Sequence, residues 1–524
     1  MKRIFSFIVM SVFCLVSAFG QGRNTRLFTI FTSGGCGCTG SGGPPETFTT
    51  HEQVLDGLQE ACEGIDFVVF EGSITAAYNE VESNKESYDG VLIIGRVDGD
   101  YRLAFTGLPT IVVYNLWEFQ SGHHYHIFNT GKVKSDGNNI LMGGTNYKDV
   151  KILLAQLDRR NLSDPAVTKK MFDDLVYKVK LIKAIKELGE TRILMIKRSR
   201  DEIIASVNYK HGDYNQEYPP NHNERLIKSV EKYGAEVIPV EPEEFYKAYQ
   251  DADVREAEKV ADKWIEGATK VIASRSEIVK NARAYLAFDA LREKYNCNAV
   301  STQIRTLTGS GKLEDRFWPG LGLELGFKPR GIMAVCQNYP HILLSQVLSY
   351  SLTGRPSMLG DQMYDVDNGV EIVLHCGIPV NPYGGEWRVP YTIVPHAQSP
   401  VRDKPEEPGS ATGLRAYWPV GESVTLWEFH TQLGQIRMHT GEVVDGHEIY
   451  TGGEDIDHVM CTAKIIAKVD NIRKVRDQHF PSLYGIHHCA TLGDLRKQIK
   501  DLGILLGVEV IERDRLQVSR KKIP

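Results

Sequence analysis

Three short apolar runs between Gly331 and Gly377 each lead to a residue that could do chemistry. Gly331-Ile-Met-Ala-Val-Cys336 stops at Gln337, Arg355-Pro-Ser-Met-Leu-Gly360 leads to Asp361, and Glu371-Ile-Val-Leu leads to His375, with Cys376-Gly377 behind it. Polar groups at the carboxyl ends of successive strands converge on the crevice where open α/β sheets bind ligands. A carboxylate and an imidazole meeting there suit Mn2+, Fe2+, Co2+ or Zn2+. Far downstream, His487-His488 is a further source of ligands. Cys336, Cys376 and Cys489 each adjoin one of these residues. They read as small buried neighbours or, more sharply, as alternative thiolate ligands.

Two other motifs carry less. Gly35-Cys36-Gly37-Cys38-Thr39-Gly40 spells G-x-G-x-x-G after a strand, but Gly42-Gly43-Pro44-Pro45 prolongs the loop where a dinucleotide site needs a helix to begin. The run reads as a surface loop. His123-His124-Tyr125-His126 has no carboxylate at a supportive spacing and reads as a solvated loop.

The elements that must position these residues follow from periodicity. Short β-branched runs at 27–32, 66–70, 90–95 and 110–114 alternate with amphipathic stretches such as 52–62, the pattern of a parallel α/β domain. A long helical stretch, 165–188, leads to a second set: strands at 192–196, 235–240 and 297–303, helices at 224–233, 252–266 and 276–295. Beyond about residue 385 the texture turns all-β, with strands at 387–395, 422–429, 435–444 and 459–469 and a Pro-rich loop at 397–412. A helix at 492–505, with Thr491 and Asp494 as a capping box, and a strand at 507–512 close the chain. The expected organisation is a leader at 1–20, an N-terminal α/β domain at 21–160, a second at 161–355 and a C-terminal antiparallel β domain at 356–524.

The 524 residues are 42% hydrophobic and 24% charged, ample for several cores. A net charge of -6, without basic blocks, argues against nucleic acid as the main partner. Lys2 and Arg3, the apolar run from Ile4 to Phe19 and small residues near Gly20 form a secretory signal with cleavage before Gln21, so a periplasmic or secreted protein is expected. No later segment approaches a membrane span. The eight cysteines beyond Cys14 are too sparse for a disulfide scaffold.

The run from Gly331 through His375-Cys376-Gly377, then Glu422-Ser-Val-Thr-Leu, Gly441-Glu442-Val443-Val444 and His487-His488, resembles the L-fucose/L-arabinose isomerase superfamily, and most closely its short fucose-isomerase-like members. The resemblance covers roughly residues 295–515. It implies two parallel-sheet α/β domains followed by the antiparallel domain, a carbohydrate substrate, a divalent metal that is usually Mn2+, and a homo-oligomer, trimeric or hexameric. It also implies metal ligands at Asp361, His375 and His488, with His487 as the stand-in for the last. The family's first carboxylate, which binds metal and shuttles protons, falls on Gln337, 24 residues before Asp361. Gln offers a carbonyl oxygen but cannot exchange a proton at neutral pH. The resemblance therefore implies an isomerase-like enzyme with Asp361 and Gln337 at its catalytic centre and Gln337 as fourth metal ligand. The alternative is an exported carbohydrate-binding protein that keeps the fold without the catalysis.

Overall fold

The computed structural model describes residues 23–32, 51–95, 100–114, 151–157, 165–197, 222–302, 319–397, 411–451, 456–458, 461–479 and 485–515. The leader at 1–20, the glycine-rich run at 35–40, the histidine patch at 123–126 and most of the loop at 397–412 lie outside them. Among the described residues no helix is long and apolar enough to cross a membrane.

The first sheet holds β1 (Thr25–Thr32), β2 (Ile65–Val69), β3 (Gly90–Gly95), β4 (Thr110–Tyr114) and β5 (Ile152–Gln156). Their order is β2-β1-β3-β4-β5, and every pairing is parallel. Parallel strands covered on both faces read as unbroken apolar runs, and β3 is buried throughout. Alternate residues serve opposite faces. Leu92 and Ile94 pack under helix His51–Ala61, whereas Val91 and Ile93 pack under helix Ile74–Ser83.

The second sheet is also parallel. Here β6 (Arg192–Ile196) and β7 (Glu236–Val240) are followed by the two-residue β8 (Lys270–Val271), which joins another sheet, and then by β9 (Ala299–Thr302) and β10 (Met333–Val335). The order β10-β9-β6-β7 brings the carboxyl ends of β10, β9 and β6 side by side. Asn338, just past β10, ties these ends together: Ser301 Oγ donates to its Oδ1 at 2.9 Å, and its Nδ2 donates to the Ile196 carbonyl.

The remaining strands are β11 (Met358–Asp365), β12 (Val370–His375), β13 (Tyr391–Val394), β14 (Gly413–Ala416), β15 (Ser423–His430), β16 (Gln435–Val443), β17 (Ala463–Val469), β18 (His487–Leu492) and β19 (Glu509–Glu512). Six of them run in the order β15-β18-β11-β12-β17-β16, and β15 pairs again with β16, so the sheet closes into an antiparallel barrel. Closure removes the exposed edges that an open sheet would present. β19 adds to β16 in parallel. A small fourth sheet, β14-β13-β8, links the barrel's long excursion to the second α/β unit.

Two expectations are corrected here. β11 and β12 do not continue the parallel sheet of β10, because only four residues, 366–369, separate them. A parallel crossover needs about a dozen residues, so the pair can only be a hairpin, and Gly369 turns it at φ +71°. Asp361 therefore stands mid-strand on a barrel and not at the carboxyl end of a parallel strand. The expected capping box also fails. Thr491 belongs to β18, where its hydroxyl is shared with Ser349 and Ser357, and the last helix begins at Arg496 behind Leu495. Gly493, at φ +110°, turns the chain between the two.

The barrel's faces follow from alternation. Met358, Leu426, Ala490 and Leu492 share one apolar cluster, and in register with them come Gly360, Glu428 and His488. Leu359, Trp427, Phe429 and Cys489 face the opposite way, against helices Pro340–Thr353 and Arg496–Leu506. The first set is internal, because Glu371 on β12 reaches His439 on β16 at 2.6 Å although β17 lies between those strands. A side chain at Gly360 would collide with Val373 across the hairpin.

Candidate functional site

The site lies where the carboxyl end of β10 meets the barrel. Cys336 and Gln337 follow β10, His375 ends β12 with Cys376 behind it, and Asp361 and His487 face one another across the β11–β18 pairing. His487 Nε2 stands 2.8 Å from Asp361 Oδ1. The His375 and His487 rings are 5.4 Å apart, and Tyr339 packs on the other side of His487 at 4.3 Å. Cys336 Sγ lies 3.2 Å from His375 Nδ1. One ligand atom from each of Cys336, His375 and Cys376 comes within 4.8 Å of the others, and all three residues are buried.

Asp361 is the more open group of its pair: its side chain is 27% exposed, whereas that of His487 is 1% exposed. Burial disfavours its charge, yet His487 and His375 overcome this and hold it below the ordinary carboxylate range. Burial depresses His487, and Asp361 opposes this only in part. At neutral pH the pair is thus a carboxylate braced by a neutral imidazole. Gln337 Oε1 is buried and finds no hydrogen-bond partner among the described residues. Its hydrogen bond with Cys336, and then burial, push the Cys376 thiol well above its usual value.

Of the four expected metal ligands, Gln337, Asp361 and His375 come to this region and His488 does not. Successive strand residues point to opposite faces, so only one of His487 and His488 can accompany Asp361. Register gives that place to His487 and turns His488 into the barrel, 3.5 Å from Glu428 Oε1 and 3.3 Å from Arg513 Nη1. The donors around His375 are thiols, whereas Mn2+ favours oxygen ligands. Asp361, His375 and His487, the stand-in, reach one region, but among the described residues the ligand atoms that gather closely enough for one ion are those of Cys336, His375 and Cys376. Cys489, the third cysteine singled out, is a buried neighbour in the apolar layer against the helices.

Glu324 was not among the expected residues. It lies on a π-helical turn, Gly322–Phe327, and is paired with buried Lys328 at 2.8 Å. Its charge is felt by His375, and its Oε2 has no hydrogen-bond partner among the described residues. Gly377 makes room for it, since a Cβ there would sit 2.7 Å from Glu324 Cγ. Such turns mark functional sites often enough to be a signal, but none is visible in composition.

A second polar cluster fills one end of the barrel: Glu428, Glu371, Arg437, His439, His488, Gln362 and, from the segment after β19, Arg513. Burial pushes the Glu428 carboxyl up to about 8 against the pull of Arg437 and Arg513. A proton held more tightly in the fold than at the ordinary 4.5 gives stability that is full below that value and is lost as pH rises through about 8. The loss amounts to about 1.4 kcal/mol per pH unit across that window. Glu428→Gln removes the titration, so its melting temperature should fall less than the parent's between about pH 5 and about pH 9. Parallel melting profiles would show that Glu428 is already ionised in the fold.

Compared with known proteins, the sequence matches no family model and no curated protein sequence.

Proposed function

We propose that this chain is an enzyme acting on a carbohydrate or sugar derivative, of aldose–ketose isomerase ancestry, and that Asp361 moves the proton. The observation that carries this reading is the Asp361–His487 pair, a partly open carboxylate braced at 2.8 Å by an imidazole beside the carboxyl end of a parallel sheet. Asp361 takes a proton from the carbon next to the sugar carbonyl and returns it to the former carbonyl carbon, while the proton of the adjacent hydroxyl passes to the carbonyl oxygen, with no external oxidant or reductant. His487 keeps Asp361 anionic and aimed. A carboxylate held below its ordinary range is a weak base, so the carbonyl oxygen must be polarised as the proton leaves. The Gln337 amide offers an N–H for this, and its buried oxygen accepts from a sugar hydroxyl.

Gln337 is also the observation that favours a second reading, sugar binding without turnover. It stands where the resembled family has its proton-carrying glutamate. Incubation with free aldoses, ketoses and glycan fragments in deuterated water, followed by NMR, separates the two. Deuterium entering the carbon next to the carbonyl supports the enzyme. Heat of binding without deuterium supports the receptor, and neither signal with any sugar overturns both.

A further inference from the structure

We propose that Cys336, His375 and Cys376 form a site for one thiophilic divalent ion, Zn2+ before any other, open at a fourth position. The three ligand atoms lie within 4.8 Å of one another. Bonds of about 2.0–2.3 Å in a tetrahedron place such atoms roughly 3.3–3.8 Å apart, and Cys336 Sγ and His375 Nδ1, at 3.2 Å, need to part by only a few tenths of an ångström to reach that range. The rest requires a contraction of about 1 Å or less. Two thiolates and an imidazole are a soft set that selects zinc over Mn2+.

The surroundings support a ligand more than plain packing. His375 is 3% exposed, and among the described residues its ring has only the two thiols as hydrogen-bond partners. Thiols are weak partners for so buried a ring. Gln337, the residue after Cys336, brings a buried carbonyl oxygen with no partner. Glu324, whose Oε2 is likewise without a partner among the described residues and whose charge acts on His375, supplies a carboxylate near the imidazole, as the surroundings of such sites do. Two thiolates also balance the charge of the ion, which matters in a pocket this dry.

The ligands come from two structural units. Cys336 follows β10 of the second parallel sheet, and His375 and Cys376 end and follow β12 of the barrel. The ion would fasten one to the other beside the Asp361–His487 pair. With three protein ligands and an open fourth position the site has the catalytic pattern, since structural zinc is closed by four.

The test uses the full chain, reduced, equilibrated with Zn2+ and freed of excess by gel filtration. One zinc per chain is expected. Co2+ in its place should give the intense near-ultraviolet sulfur-to-cobalt band that only thiolate ligands produce. Cys336→Ser and Cys376→Ser should each lose that band and weaken binding by about 10²-fold or more, whereas Asp361→Asn should keep both. If the serine variants do not fold, X-ray absorption on the zinc-loaded parent replaces them, with two sulfur neighbours expected. The proposal is overturned by a reduced chain that retains no metal, by a band unchanged in both serine variants, or by a shell of nitrogen and oxygen alone. No sugar enters the assay, so this result and the result on turnover can fail separately.

Discussion

Asp361→Asn should leave the protein folded and lower its turnover of whichever sugar exchanges deuterium by roughly 10²–10⁴-fold, the usual loss of a positioned base. The fold should survive because the side chain is partly open and meets chiefly His487. The Asn variant keeps the shape and a hydrogen-bonding oxygen but can neither take the proton nor hold charge against His487. The fall should appear in kcat more than in KM, since sugar hydroxyls can still bind Gln337. The parent's pH profile has a matching feature. Activity requires ionised Asp361 and is lost as pH falls through a value held below the ordinary carboxylate range, so the acid limb should lie lower than about pH 4. An Asn variant with undiminished kcat/KM would remove Asp361 from the mechanism.

Arg513→Ala should destabilise the protein by about 3–5 kcal/mol, read as a lower denaturation midpoint in urea. The guanidinium is fully buried at the mouth of the barrel. It donates from Nη2 to Tyr364 Oη at 2.8 Å and to the Val475 carbonyl at 2.9 Å, and from Nη1 to Gln362 Oε1 at 3.4 Å. Truncation takes the donor from the Val475 carbonyl, leaves Tyr364 and Gln362 with only each other and His479 among the described residues, opens a cavity and removes one of the two cations facing Glu428. Arg513→Lys restores charge without the planar fork and should recover less than half of the loss. A midpoint shift equivalent to less than about 1 kcal/mol would place the residue among surface ion pairs, which contribute little.

Much of this architecture could be read from residue order. The parallel sheets announce themselves as β-branched runs at helix-containing spacings, and β3 and β6 fall where those runs are. The barrel was harder, because its strands are ordinary alternating segments and its closure depends on which of them meet. β18 was obscured by Thr491 and Asp494, which imitate a helix start while Thr491 is engaged inside a strand. The hairpin of β11 and β12 was legible in principle, since Asp367-Asn368-Gly369 is a turn sequence. At the site, Asp361 and His375 stand out by type. The choice between His487 and His488 does not, because it turns on a register with a strand 126 residues away. The cysteines read either way, because nothing in residue order sets how near Cys336 Sγ comes to His375.

The little sheet of β8, β13 and β14 has a mechanical meaning. Lys270 and Val271 align in parallel with Thr392 and Ile393, and Ala261 and Trp264 share one apolar core with Ile393, Leu414 and Trp418. Two-lobed solute receptors close by rotating about a thin hinge. Here such a rotation would have to shear a strand pairing and part a dry core at the same time, which is global unfolding in miniature. Barrel and second sheet are therefore joined by a strand pairing and a shared apolar core, the opposite of a thin hinge.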